Sequence, residues 1–217
     1  MRLKNVKGAN EIIIKGKYFV NNPHENIGIW NKVFDNDNSK IYIEIGMGKG
    51  DFIIENAKRY PDINFIGIEK YDSVIVRAIQ KSNELELNNL KIIRIDALEL
   101  DKIFDHEIDM IYLNFSDPWP KDRHAKRRLT SPVFLNIYDK IFKNEGHIIM
   151  KTDNINLFNY SLESLEENGY VIKNMTNDLD CFKEDNIMTE YERKFNKLGI
   201  KINRLEGIKD ISKIKIQ

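Results

Sequence analysis

The chain has 217 residues, 41% hydrophobic and 31% charged, the balance of a globular protein long enough for one sizeable core. Lysine plus arginine equals aspartate plus glutamate at 34 each, so no global field attracts nucleic acid and any such partner must meet a local patch. The single cysteine, Cys181, excludes an intramolecular disulfide and a cysteine-based metal site.

Residues 1–10 lack the apolar core of a signal peptide, and no apolar run approaches the ~20 residues that span a bilayer. A cytoplasmic protein without a membrane partner is expected. Residues 1–40 read as an N-terminal extension docking on a main domain at 41–217, one folded unit in all. The extension is polar, with apolar islands at 12–14 and 18–20 and a turn at Asn21-Asn22-Pro23. Trp30, Val33 and Phe34 sit at helical spacing and supply its docking surface.

From residue 41 an alternation begins. Strands are predicted over 41–45, 63–68, 91–95, 108–113 and 147–151. Helices are predicted over 49–59, 71–85, 98–104, 132–142 and 154–167, with Pro132 opening one and Gly169 following another. Residues 170–175 and 191–195 are the last strand candidates. The tail from Ile200 alternates isoleucine with lysine and reads as a weak extra strand or a frayed end. Such alternation predicts an α/β fold, a parallel sheet covered on both faces.

Glu44-Ile45-Gly46-Met47-Gly48-Lys49-Gly50 follows a strand and opens a helix. Gly46 and Gly48 allow a tight turn and close approach of a ligand to the backbone. The next strand ends at Glu69, 19 residues beyond Gly50, where a ribose-hydroxyl acceptor belongs, and the third ends at Asp96-Ala97. The spacing is not that of dinucleotide enzymes, and Lys49 is not followed by the Ser or Thr of a P-loop. An acid just before the first glycine repels a pyrophosphate but suits S-adenosylmethionine, which carries an ammonium and a sulfonium. A ligand-free glycine turn is the plainer alternative, and the register of Glu69 and Asp96 argues against it.

The fourth strand runs into Asp117-Pro118-Trp119-Pro120. Asp117 suits hydrogen bonds from guanine N1–H and its amino group. Trp119 either stacks on a base or packs against its neighbours. Lys121, Arg123, Lys126, Arg127 and Arg128 against Asp122 then concentrate a charge of +4, with His124 neutral. This fits phosphate contacts; a solvated helix face is the ordinary alternative. Asp153, after the fifth strand, either orients a substrate or caps the next helix. Thr189-Glu190-Tyr191-Glu192 reads by itself as a turn opening the last strand. No metal site is expected, because the four histidines are scattered.

Together, Glu44 to Gly50, Gly67-Ile68-Glu69, Asn114 to Arg128, Lys151-Thr152-Asp153 and Thr189 to Glu192 resemble the bacterial tRNA (guanine-N7-)-methyltransferase family, over residues 22–199. The resemblance implies a class I S-adenosylmethionine-dependent methyltransferase fold, a Rossmann-like, mostly parallel seven-stranded sheet. It implies methyl transfer to N7 of a guanine, position 46, in the tRNA variable loop, by in-line displacement without a general base. S-adenosylhomocysteine is the expected product. By position, Glu44, Gly46, Gly48, Glu69, Asp96, Ala97 and Asp117 would bind the cofactor, with Asp117 also catalytic. Lys121, Asp153, Thr189, Glu190, Tyr191 and Glu192 would hold the substrate. Arg123, His124, Lys126, Arg127 and Arg128 would meet the RNA. Monomer and homodimer are both compatible. The rival readings are an amino-methylating nucleic-acid methyltransferase of the same fold, a non-catalytic RNA-binding protein that keeps the fold, and a nicotinamide dehydrogenase, which the glycine spacing disfavours.

Overall fold

A computed structural model describes residues 8–182 and 186–212. Its centre is a seven-stranded sheet in the order β3-β2-β1-β4-β5-β7-β6. The strands are β1 (Ile41–Ile45), β2 (Asn64–Glu69), β3 (Leu90–Arg94), β4 (Met110–Asn114), β5 (Glu145–Thr152), β6 (Val171–Thr176) and β7 (Asn203–Asp210). Neighbours from β3 through β5 pair parallel, and β7 runs antiparallel to both β5 and β6. The mostly parallel sheet expected from the alternation is present.

Helices cover both faces. On one lie α1 (Ala9–Ile14), α2 (Asp51–Arg59) and α3 (Asp72–Ser82), whose Ile13, Ile53, Ile75 and Ile79 pack with Phe65, Leu90 and Ile92. On the other lie α4 (Pro132–Ile141) and α5 (Ile155–Glu167), whose Phe134, Leu135, Tyr138 and Leu157 pack with Ile43, Ile66, Ile111 and Ile148. Trp30 joins this second core: it is fully buried, and its Nε1 donates to the Ile103 carbonyl at 2.6 Å. Residues 18–20 run beside β3, where Val20 N and Ile92 N donate to Ile92 O and Tyr18 O. This covers an otherwise open sheet edge.

Two expectations are corrected. Residues 191–195 are not a strand; they belong to α6 (Glu190–Lys197). Thr189 and Glu192 form a reciprocal capping box, satisfying the first free N–H groups of a helix. Tyr191 and Phe195 are then an i, i+4 pair on one face, not alternate members of a strand. The last strand is instead β7, from the tail read as weak or frayed, and it lies inside the sheet. Asn203, Leu205 and Gly207 are buried along one side. Smaller differences concern ends. Gly50, at φ 77, caps a helix that begins at Asp51, two residues later than expected. Residues 97–102 form a 3-10 helix, and the apolar island at 12–14 lies within a helix, α1.

Candidate active site

The strand order reverses between β1 and β4, and in open α/β sheets the ligand crevice lies at such a switch, outside the carboxyl ends of the strands. Gly46 and Gly48 line the turn after β1 with φ 77 and 59, and a Cβ built on either meets nothing within 4 Å. Gly50 differs: a Cβ there would lie 2.9 Å from Ala78 Cβ, so this glycine lets α2 approach α3. The turn is tied to the next strand, because Gly48 N donates to Glu69 Oε2 at 3.2 Å. Glu69 Oε1 accepts from Lys70 N and Tyr71 N. Burial raises its pKa against these donors. Asp96 caps the 3-10 helix through Leu98 N at 3.0 Å, and Lys70 Nζ lies 3.4 Å from its other oxygen. Ala97 is buried.

The inner wall of the crevice is unusual. Glu44 is 2% exposed, and its Oε1 accepts from Asn114 Nδ2 at 2.9 Å across the switch between β1 and β4. Glu44 Oε2 and Asn114 Oδ1 are buried without hydrogen-bond partners. Burial pushes the Glu44 carboxyl up to about 8, with Asn114, Lys151 and the Ile53 backbone N–H pulling the other way. Two orphaned acceptors at a ligand edge are a costly arrangement that a cationic donor would satisfy.

Asp117 is exposed on the loop after β4. The loop is strained, with Phe115 at φ 50 and Trp119 at φ 41. It is also well supported. Phe115 N donates to the Lys151 carbonyl at 2.8 Å, and Arg128 donates to the carbonyls of Pro118 and Trp119 while its guanidinium sits 4.2 Å from the Tyr160 ring. Arg128 therefore braces the loop from behind. Trp119 packs locally: the Arg127 guanidinium lies 4.8 Å from its ring and His124 meets it edge-on at 5.8 Å. Lys121, Arg123, Lys126 and Arg127 are exposed along a 3-10 helix over Asp122–Arg127.

The α6 segment is fastened to three strand ends. Glu190 pairs with Lys49 of the glycine turn at 2.7 Å. The Tyr191 ring stacks on Phe115 with centroids 5.9 Å apart and planes at 22°. Glu192 pairs with Lys151, at the end of β5, at 3.2 Å, with both side chains buried. Lys151 also donates to Asn186 Oδ1 and the Ile187 carbonyl, and Asn186 Nδ2 donates to Glu192 Oε1. Thr189 and Glu192, expected at the substrate, are thus engaged in capping and in this network. Asp153 is exposed and does not cap α5; Asn154 does, accepting from Leu157 N at 2.9 Å. Asn114, Lys151, Asn186 and Phe115 carry site contacts that the sequence reading left without a role. Only the Thr-x-x-Glu spacing signalled any of this, as a capping box. Among the described residues no cluster of three His, Cys, Asp or Glu is placed to hold a metal.

Comparison with known proteins agrees with this geometry. The 16S rRNA methyltransferase KamB superposes with a TM-score of 0.64 at 10% identity, over 84% of this chain and 93% of that one. This shows the class I methyltransferase fold alone. Residues 38–205 match the family described as "Putative methyltransferase". The tRNA (guanine-N(7)-)-methyltransferase of Lachnoclostridium phytofermentans is 49% identical over 213 residues, covering 97% of this chain and 99% of its own. That of Bacillus cytotoxicus is 51% identical over 210 residues, covering 95% and 96%. Likeness of that extent over nearly the whole of both chains places this protein in the tRNA (guanine-N(7)-)-methyltransferase family.

Proposed function

We propose that this methyltransferase uses S-adenosylmethionine to methylate N7 of the guanine at position 46, in the variable loop of tRNA. The observation that carries the reading is the pair of orphaned acceptors, Glu44 Oε2 and Asn114 Oδ1, buried beside the loop that exposes Asp117. A ligand with an ammonium group fits them, and the open faces of Gly46 and Gly48 leave it room. When bound, S-adenosylmethionine supplies a methyl group on a positively charged sulfur. Glu44 and Asn114 would hold its ammonium, while Glu69 and Asp96, with acceptor capacity left, suit hydroxyl groups.

Guanine N7 has a lone pair and no proton at neutral pH, so the chain needs no general base. The lone pair forms the N7–carbon bond as the carbon–sulfur bond breaks in line, and its electrons leave with sulfur. Proximity and orientation supply most of the acceleration. Positive charge passes to the guanine ring, where Asp117 stabilises it and holds the ring by its N1–H and amino group. The exposed cations Lys121, Arg123, Lys126 and Arg127 would meet phosphates, with Asp153 on the substrate side. A cytoplasmic location follows from a tRNA substrate. Among the described residues no helix is long and apolar enough to cross a membrane.

The test is Asp117→Ala. It should lower kcat by about 100-fold or more while leaving S-adenosylmethionine affinity measurable. Undiminished kcat would remove Asp117 from the reaction.

A further inference from the structure

Lys151 stands where the wall that carries Glu44 meets the start of α6. Its backbone belongs to the wall. It is in register with Asn114, whose side chain holds Glu44, and its carbonyl accepts from Phe115 N. Its side chain belongs to α6. Nζ donates to Asn186 Oδ1, to the Ile187 carbonyl at 3.0 Å and to Glu192 Oε2 at 3.2 Å. A lysine ammonium has three donors, so all of them are engaged by the segment that opens this helix. The group is buried, with the Phe52 ring 5.1 Å from Nζ. A buried ammonium held in this way fixes one element to the other.

The wall is also what a bound cation would change. Glu44 Oε2 and Asn114 Oδ1 are the orphaned acceptors, and a donor that satisfies them holds Asn114 in one orientation. Asn114 is followed by Phe115, a residue at φ 50 whose ring meets Tyr191 of α6. A constraint on one of these neighbours is therefore passed to the other. Burial pushes Glu44 up and Lys151 down, and the charge of each pulls the other back. The two groups thus sense each other's charge across the wall. We infer that Lys151 is a positioning residue that joins the cofactor wall to α6, so that cofactor and RNA each tighten the binding of the other. Such coupling is reciprocal by linkage. The inference rests on the proposed cofactor and RNA substrate, and it deepens that reading by making the two binding events interdependent.

The test measures the Kd of unmodified tRNA transcripts by filter binding, with and without saturating S-adenosylhomocysteine. The ratio of the two Kd values is the readout. A role in stability alone weakens both and leaves their ratio unchanged. In wild type S-adenosylhomocysteine should tighten RNA binding by about 5-fold or more. Lys151→Met with Glu192→Leu replaces the ion pair by an apolar pair, and its ratio should fall towards one. Should that protein fail to melt cooperatively, Glu192→Gln is read in the same way, since glutamine keeps the capping box and removes the charge. A wild-type ratio near one overturns the inference. So does a folded variant that keeps the wild-type ratio, which would leave Lys151 with a structural role only. These measurements do not depend on which atom is methylated. A methyl found away from N7, with the ratio lost in the variant, ends the N7 assignment and supports the coupling. N7 methylation with the wild-type ratio kept in the variant does the reverse.

Discussion

Glu44 shows how one buried side chain couples proton and ligand chemistry. Its folded pKa of about 8 lies above the ordinary 4.5, because burial disfavours the charged form. Between those values the folded state holds a proton that the unfolded chain has lost. The stability from protonated Glu44 is therefore complete below about pH 4.5 and is lost as pH rises towards about 8. A cation bound at Oε2 favours the carboxylate and expels that proton. Two results follow. The thermal stability of the free protein should fall across this interval more steeply in wild type than in Glu44→Gln. S-adenosylmethionine binding near neutral pH should release a proton in wild type and none in Glu44→Gln, read by calorimetry in buffers of different ionisation enthalpy. Equal proton release in both would show that the cation lies elsewhere. The carboxylate itself was legible in the sequence from its place before the first glycine. Its orphaned oxygen was not, because that depends on how Asn114 of a distant strand is oriented.

At the scale of the element, α6 is tied down by side-chain contacts with other segments. Its buried Lys151–Glu192 pair removes two charges from water and is held by Asn186 and the Ile187 carbonyl. Burial pushes the Lys151 ammonium down while Glu192 pulls it up. Removing one partner leaves a buried charge unpaired, so Lys151→Met should cost about 3–5 kcal/mol in urea unfolding. Lys151→Met with Glu192→Leu should recover much of that loss, since an apolar pair replaces an ionic one at little net cost. A double variant as unstable as the single one would show that Asn186 and the backbone, not the pairing, set the cost. The same element shows where a pattern misleads. Tyr191 to Phe195 carries aromatics that favour strands, but Thr189-x-x-Glu192 gives the helix its start. β7 was underrated because its central position comes from antiparallel pairing with β5, a strand more than fifty residues away, roughly speaking beyond any local pattern.

At the scale of the molecule, the parallel sheet and its ligand edge were legible because strand–helix alternation leaves few other topologies. Three acids in or just after successive parallel strands then lie towards one edge of the sheet. The basic run was legible as charge density; that Arg128 braces a loop was not, since its partners are backbone carbonyls. A chain with equal numbers of acidic and basic residues holds a polyanion only through such a local run. RNA Kd should therefore weaken steeply with salt, and Arg123→Ala with Lys126→Ala should reduce the slope by about one to two. A slope unchanged in that variant would place the RNA on another face. The atom that receives the methyl group is the most direct readout. Unmodified tRNA transcripts are incubated with the protein and S-adenosylmethionine, then cleaved with borohydride and aniline, which break the chain at N7-methylguanine. Cleavage at the variable-loop guanine, position 46, is the predicted result; methyl incorporation without cleavage there would contradict it.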